Sequence, residues 1–201
     1  MKLTYVFPLL RNIVVPSLAI MICELSSAAG FGFQMGEAPT TYNCDALDAR
    51  PGTYKCVAPK PHSSFESYVI EASEKHGICW VKGVGKDISD NGYGTNTQTE
   101  HEKLVTLLSK PYGAASEKTD FILPSALWDD PNEWLMSIAK KERYVISTWK
   151  DLKLASKPAL DKIYLGVGAT SGKTGYITVE YHAKNYSDCV QANAESESDA
   201  L

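Results

Sequence analysis

The chain has 201 residues, of which 44% are hydrophobic and 22% are charged, with 20 Lys and Arg against 24 Asp and Glu. This balance is typical of a globular protein and excludes a collagen, a coiled coil and a disordered chain. The formal net charge of −4 argues against a nucleic-acid-binding protein, because such proteins usually present a basic face to the phosphates.

The first predicted element is a secretory signal peptide over residues 1–29. Lys2 and Arg11 supply its positive start, residues 13–23 form an uncharged apolar run, and small residues at 26–29 offer a cleavage site. A helix of that run spans about 16 Å, against a hydrocarbon core of about 30 Å. We therefore expect a periplasmic or secreted protein with no membrane span in the mature chain.

The cysteines that remain after removal of the signal are Cys44, Cys56, Cys79 and Cys189. An even number of cysteines in an exported chain predicts structural disulfides. Of the three pairings, we favour Cys44 with Cys56, which flank a turn signal at residues 50–52, and Cys79 with Cys189, which would tie a central strand to the chain end. No C-x-x-C motif is present in the sequence, so nothing indicates redox catalysis.

The predicted mature chain begins with residues 30–51, a stretch that glycines and prolines interrupt. Three short β-rich runs follow it. They cover residues 53–57, 65–72 and 78–84, and turn signals separate them. For residues 30–51 we expect at most one strand or short helix.

Two amphipathic helices are predicted in the centre of the chain. The first covers residues 97–110, where Thr97 and Thr99 each begin a capping-box pattern, and it stops before Pro111. The second covers residues 130–141. Its expected buried stripe consists of Trp134, Leu135 and Ile138.

The last third of the chain is predicted to form three more strands, at residues 143–149, 162–169 and 175–184. The third alternates apolar and polar residues, which is typical of a strand with one buried face. Residues 191–201 are acidic and lack apolar periodicity, which predicts a disordered tail. We therefore predict one α+β domain over residues 30–190, with antiparallel sheet in the order βββ-α-α-βββ. The sequence leaves open whether the two strand blocks share a sheet.

Three motifs that bind nucleotides or metals are present only in part. Residues 172–174 (Gly-Lys-Thr) lack the first glycine of a phosphate-binding loop, and the pair His101-Glu102 lacks the second histidine of a zinc motif. Residues 87–92 match the first half of a calcium loop, which Gln98 then fails to complete. We therefore predict no cofactor, no metal and no catalytic residue.

The strongest candidate for partner binding is the apolar segment 121–128. Its side chains either cover the core between the two helices or form a partner surface, since exposed aromatic residues often dominate interfaces. Lys173 is a further candidate, because it lies at the tip of the predicted hairpin between the last two strands. The predicted partner contacts are Phe121, Leu127, Trp128 and Lys173.

Residues 31–36 (Phe-Gly-Phe-Gln-Met-Gly), together with the helix, helix, three-strand order of residues 97–184, resemble the β-lactamase-inhibitor-like class of small exported α+β modules. That class includes protein inhibitors and outer-membrane assembly factors, so the resemblance implies a binding role. The chain departs from the pattern at Pro39, where a helix would normally follow, and it lacks a lipobox.

The leading hypothesis is a non-catalytic binding module for a protein partner or an envelope component. The first alternative is a secreted hydrolase whose site is assembled only in the fold, with His101 or His182 beside a carboxylate in a concave pocket. The second alternative is a structural envelope protein without a discrete site.

Overall fold

The computed structural model describes residues 29–47, 50–152 and 159–199. Apart from Ala29, the predicted signal peptide lies outside the described residues. No helix within these ranges is long and apolar enough to cross a membrane.

One antiparallel sheet of nine strands forms the centre of the described structure. The strands are β1 (Cys44–Ala46), β2 (Thr53–Cys56), β3 (Phe65–Ser73), β4 (Gly77–Gly85), β5 (Ile88–Ser89), β6 (Glu117–Ile122), β7 (Arg143–Trp149), β8 (Leu160–Ser171) and β9 (Thr174–Ala183). Their order is β1-β2-β3-β4-β9-β8-β7-β6, and β5 pairs with β9 off this path. The two predicted blocks thus share one sheet, because β4 pairs with β9.

Three α-helices and three short 3-10 helices accompany the sheet within the described ranges. The α-helices are α1 (Thr95–Tyr112), α2 (Trp134–Ala139) and α3 (Tyr186–Asp199). The 3-10 helices are Gly30–Gly32, Pro39–Thr41 and Pro131–Glu133. The predicted α+β fold with antiparallel sheet is confirmed, but the predicted order was incomplete, since β1, β5, β6 and α3 add to it. The prediction of at most one strand or short helix over residues 30–51 was wrong, because that stretch contains β1 and two 3-10 helices.

The main core lies between α1 and the sheet. Leu104 and Val105 of α1 are buried in the same cluster as Leu165, Val179 and Tyr181. Burial alternates along β9, as the sequence predicts for a strand with one face on the core.

Helix α1 begins two residues earlier than predicted and is not capped by a threonine. Asp90 provides the cap instead, since its carboxylate accepts hydrogen bonds from the N–H groups of Asn96 and Thr97 at 3.1 and 2.7 Å. The capping-box prediction was therefore wrong about the capping residue. The helix also continues through Pro111 to Tyr112.

Helix α2 is shorter than the predicted helix over residues 130–141. It starts at Trp134 after a 3-10 turn and ends at Ala139, and Lys141 then has a positive φ of 60°. The predicted buried stripe is confirmed, because Trp134, Leu135 and Ile138 are all buried in one cluster.

Both predicted disulfides are present, Cys44 with Cys56 and Cys79 with Cys189. The second one attaches α3 to β4, and the Asn193 side chain donates a hydrogen bond to the carbonyl of Ala72 in β3. The predicted disordered tail was therefore wrong over residues 191–199, where the chain is helical. Apolar periodicity is missing there because the disulfide, this side-chain bond and the packing of Tyr186 on the core, rather than a broad apolar face, fix the helix.

Candidate functional site

A cleft opens where the helices leave part of the sheet uncovered. Helix α1 packs on β8 and β9, and α2 packs on β7 and β8, so the face of β6 and the neighbouring part of β7 stay accessible between them. The cleft has a volume of about 220 Å³. Its walls and floor are formed by Gln98, His101, Glu102, Lys118, Thr119, Asp120, Trp134, Val145, Ile146, Ser147 and Val167.

His101 lies at the base of the cleft and is only 5% exposed. Its Nε2 lies 3.4 Å from the carbonyl oxygen of Leu165 and 3.5 Å from Oγ of Ser147. Its Nδ1 is 3.8 Å from a carboxylate oxygen of Glu102. The cleft therefore places His101 beside a carboxylate, as the hydrolase hypothesis requires, and adds a serine that the sequence did not single out.

The position of the proton on the His101 ring argues against that use. Burial lowers the pKa of His101, and this effect outweighs the bond to Leu165 and the charge of Glu102, which both raise it. The neutral ring carries one proton, and we assign it to Nε2 because the Leu165 carbonyl can only accept a hydrogen bond. The Ser147 hydroxyl then faces an N–H group, which cannot act as its base.

Two ion pairs lie at the mouth of the cleft. Lys118 Nζ is 3.1 Å from the Glu102 carboxylate, and Arg143 Nε is 2.6 Å from the Asp120 carboxylate. Lys118 and Glu102 are mostly exposed, and exposed pairs contribute only about 0–1 kcal/mol. Their charges are therefore available to a bound molecule at little cost to the fold.

Strand β6 forms one edge of the sheet. Within the described ranges it pairs only with β7. The N–H of Leu123, just after β6, donates a hydrogen bond to the carbonyl of Glu142, the residue across from it in the β6–β7 register. Because hydrogen-bonded residues alternate along an antiparallel strand, the other odd-numbered residues of β6 also direct their backbone groups towards β7. The backbone N–H and C=O groups of Lys118, Asp120 and Ile122 consequently point outward.

The other face of β6 is apolar at its end. Phe121 lies directly across from Tyr144 on β7, and the two side chains are 48% and 44% exposed. Leu127, in the segment that follows β6, is 83% exposed. These two predicted partner contacts, Phe121 and Leu127, are thus accessible beside the β6 edge.

The other two predicted contacts lie in different surroundings. Trp128 is half-buried, and its backbone N–H donates a hydrogen bond to the Glu142 carboxylate at 3.0 Å. Lys173 is exposed at the β8–β9 turn, where its carbonyl accepts a hydrogen bond from the Asp90 N–H. The structure therefore groups Phe121 and Leu127 with the β6 edge but places Lys173 beside the start of α1.

The second histidine of the hydrolase hypothesis, His182, belongs to a polar network on the opposite face of the sheet. The carboxylate of Glu180 accepts hydrogen bonds from Trp80 Nε1 at 3.1 Å and contacts His182 Nε2 at 3.3 Å and Lys82 Nζ at 2.9 Å. Burial alone would raise the pKa of Glu180, but the bonds from His182, Lys82 and Trp80 lower it to about 2. Glu180 is thus ionised at neutral pH with several donors around it, rather than a free acid or base.

The partial calcium motif has a structural role at its Asp90, which caps α1. Within the ranges that the structure describes, no group of three or more His, Cys, Asp or Glu side chains could hold a metal ion.

Sequence reasoning missed β6 and with it Lys118 and Asp120. Residues 117–122 (Glu-Lys-Thr-Asp-Phe-Ile) show no alternation, because none of the described segments buries either face of the strand. Three charges among six residues are a usual property of edge strands, which carry charge to limit aggregation. That charge pattern was the available signal.

Comparisons with known proteins find no matching family model, no matching curated protein and no matching solved structure. The geometry of the cleft and of the β6 edge is therefore the basis for inferring what the protein does.

Proposed function

We propose that the protein is an exported binding protein that takes up an extended segment of a partner polypeptide as an additional strand on the β6 edge. The observation that carries this proposal is the outward orientation of the backbone groups of Lys118, Asp120 and Ile122, which have no strand partner within the described ranges. Strand addition to an exposed sheet edge is a recurrent mode of peptide recognition.

The two faces of β6 would contact different side chains of the added strand. Lys118 and Asp120 lie on the side of the cleft, whereas Phe121 and Tyr144 form an exposed aromatic pair at the other side. Because side chains of a strand alternate between faces, a suitable segment has charged or polar residues above the cleft, and its alternate side chains lie beside Phe121.

Export is supported by the cysteines and by the N-terminal sequence. Two disulfides are typical of proteins that fold in an oxidising compartment, and residues 1–29 have the pattern of a signal peptide. An envelope or extracellular partner follows from that location.

The test combines site-specific photocrosslinking with a proline that blocks the edge. A photoreactive residue at position 120 of the full chain, expressed in its own host cells, should form an adduct with a polypeptide. Lys118→Pro should abolish the adduct, because it removes an outward N–H that β7 does not use and is therefore tolerated at an edge. Lys118→Ala is the matched control, since it removes the same charge but keeps the N–H.

The proposal predicts adduct formation with Lys118→Ala at least about tenfold above that with Lys118→Pro, since the ring removes a hydrogen bond and obstructs the neighbouring strand. The same photoreactive residue at Lys103, on the far side of α1, should form no such adduct. Equal adducts in the alanine and proline variants, or none at position 120, would contradict strand addition.

A further inference from the structure

We infer that the strand added to the β6 edge is β6 of a second copy of this chain, paired antiparallel about a two-fold axis through Thr119. This inference rests on the proposed function, because it names the partner of the same edge. It follows from how the charges of β6 are placed along the strand.

Only some registers are open to two antiparallel copies of β6. The residues that bond across such a pair must be those whose backbone groups point outward, which are Lys118, Asp120 and Ile122. An axis through Thr119 therefore pairs Lys118 of one copy with the partner subunit's Asp120. By symmetry it also pairs Asp120 of the first copy with the partner subunit's Lys118.

The neighbouring registers are disfavoured by like charges. Moving the axis by one residue towards the end of β6 places Asp120 across from the partner subunit's Asp120. Moving it by one residue towards the start places Lys118 across from the partner subunit's Lys118. Two charges of opposite sign on residues directly across from each other stabilise a sheet by about 0.2–1 kcal/mol per pair, whereas two like charges in the same positions destabilise it. The charges of β6 thus favour the Thr119 register over both of its neighbours.

The charges already present in each copy extend this arrangement. Within one copy, Lys118 contacts Glu102 at 3.1 Å and Asp120 contacts Arg143 at 2.6 Å. In the pair, Glu102, Lys118, the partner subunit's Asp120 and the partner subunit's Arg143 form a row of alternating sign. The two-fold symmetry repeats this row, so each charged residue at the junction lies between opposite charges.

The shape of the sheet directs association to β6 rather than to the opposite edge. That edge is β1, which has three residues and is joined to β2 by the Cys44–Cys56 disulfide. Strand β6 has six residues, and its two-fold pairing keeps α1 of both copies on one face of a continuous sheet. Closed two-fold pairing also removes the exposed edge, which otherwise favours aggregation.

The experiment is a charge exchange between two variants, followed by measurement of molar mass in solution by sedimentation equilibrium at low salt. Lys118→Glu alone places Glu across from the partner subunit's Asp120. Asp120→Lys alone places Lys across from the partner subunit's Lys118. Mixing the two variants restores opposite charges at both symmetric positions. Lys103→Glu is the matched control, because Lys103 is exposed, is paired with Glu100 at 3.0 Å and lies away from β6.

The wild type and Lys103→Glu should be dimeric. Each β6 variant alone should have a dimer Kd raised at least about tenfold, since two symmetric contacts change from attractive to repulsive. The equimolar mixture should regain the wild-type Kd as a heterodimer. A monomeric wild type, dimerisation of either single variant at the wild-type Kd, or a mixture no tighter than its components would overturn self-pairing.

Failure of self-pairing is distinguishable from failure of the proposed function. If the wild type is monomeric while position 120 forms an adduct with a different polypeptide that Lys118→Pro abolishes, strand addition stands and the second copy is excluded as its partner. If position 120 forms no adduct at all and the wild type is monomeric, both proposals are overturned.

Discussion

His101 and Ser147 are the two side chains in the cleft from which a hydrolase could draw a base and a nucleophile. With the Nε2 proton assigned to the bond with the Leu165 carbonyl, the ring directs no lone pair at the serine. Ser147 itself is 1% exposed. His101 therefore links α1 to β8 through the Leu165 carbonyl, and Ser147 has no base beside it.

Ser147→Ala provides the first prediction. Removal of the hydroxyl should change the free energy of unfolding by less than about 1 kcal/mol, because its contact with His101 is long. Hydrolysis of activated esters should equal that of the wild type, and crosslinking at position 120 should persist. An esterase activity of the wild type that Ser147→Ala abolishes would instead support the hydrolase hypothesis.

Glu180 gives the molecule a defined response to acid. Its pKa lies near 2, below the ordinary value of 4.5, so its ionised form is favoured by folding. The stabilisation is fully present above pH 4.5 and is lost as the pH falls towards 2. A shift of that size corresponds to about 3 kcal/mol, and the side chain is 26% exposed, which makes this figure an upper bound.

The corresponding prediction compares Glu180→Gln with the wild type in urea denaturation at pH 7 and pH 2.5. Between these values the wild type should lose more stability than the variant, by up to about 3 kcal/mol, since Gln cannot titrate. An equal loss of stability in both proteins would show that the network around Glu180 does not favour the ionised carboxylate.

Among the elements, β9 and β6 show what sequence patterning detects. Strand β9 lies on the core, so its alternation of apolar and polar residues marks it in the sequence. Strand β6 contacts one neighbour and little else, and its residues do not alternate. Helix α3 was also missed, because it is attached by a disulfide, a side-chain amide and Tyr186 at its start rather than by an apolar stripe. Elements fixed by few contacts leave a weak pattern.

The two disulfides should differ in what they contribute to stability. Cys44–Cys56 joins residues 12 apart, and Cys79–Cys189 joins residues 110 apart. The chain-entropy model assigns about 3 kcal/mol to the short loop and about 5 kcal/mol to the long one.

Urea unfolding of the two paired Cys→Ala variants tests this difference. The Cys79→Ala/Cys189→Ala variant should lose more stability, and amide exchange over α3 should rise sharply in it. In the Cys44→Ala/Cys56→Ala variant, exchange over α3 should stay at the wild-type rate. Equal protection of α3 in both variants would mean that the helix does not depend on its disulfide.

For the whole molecule, the sequence predicted the fold class and both disulfides but not the joining of the two strand blocks. The pairing of β4 with β9 connects residues about a hundred positions apart, and such contacts depend on tertiary packing that local patterns do not record. The residues of the candidate site likewise divide into those that the sequence could predict and those that depend on tertiary packing. Phe121 and Leu127 could be proposed from their apolar character, whereas Lys118 and Asp120 gain importance only because β6 is an edge.

The central claim is that the outward backbone groups of β6 bond to an added strand. Amide hydrogen exchange of single residues measures this directly, on the free monomer and on the bound form, either self-associated protein or the complex captured at position 120. In the monomer, the amides of Lys118, Asp120 and Ile122 should exchange rapidly, and those of Thr119 and Phe121, which face β7, should be protected and serve as internal controls.

In the bound form, the amides of Lys118 and Asp120 should become protected to the level of Thr119, while Thr119 and Phe121 remain unchanged. Rapid exchange at Lys118 and Asp120 in the bound form would contradict the account, because a partner would then be held without adding a strand to β6.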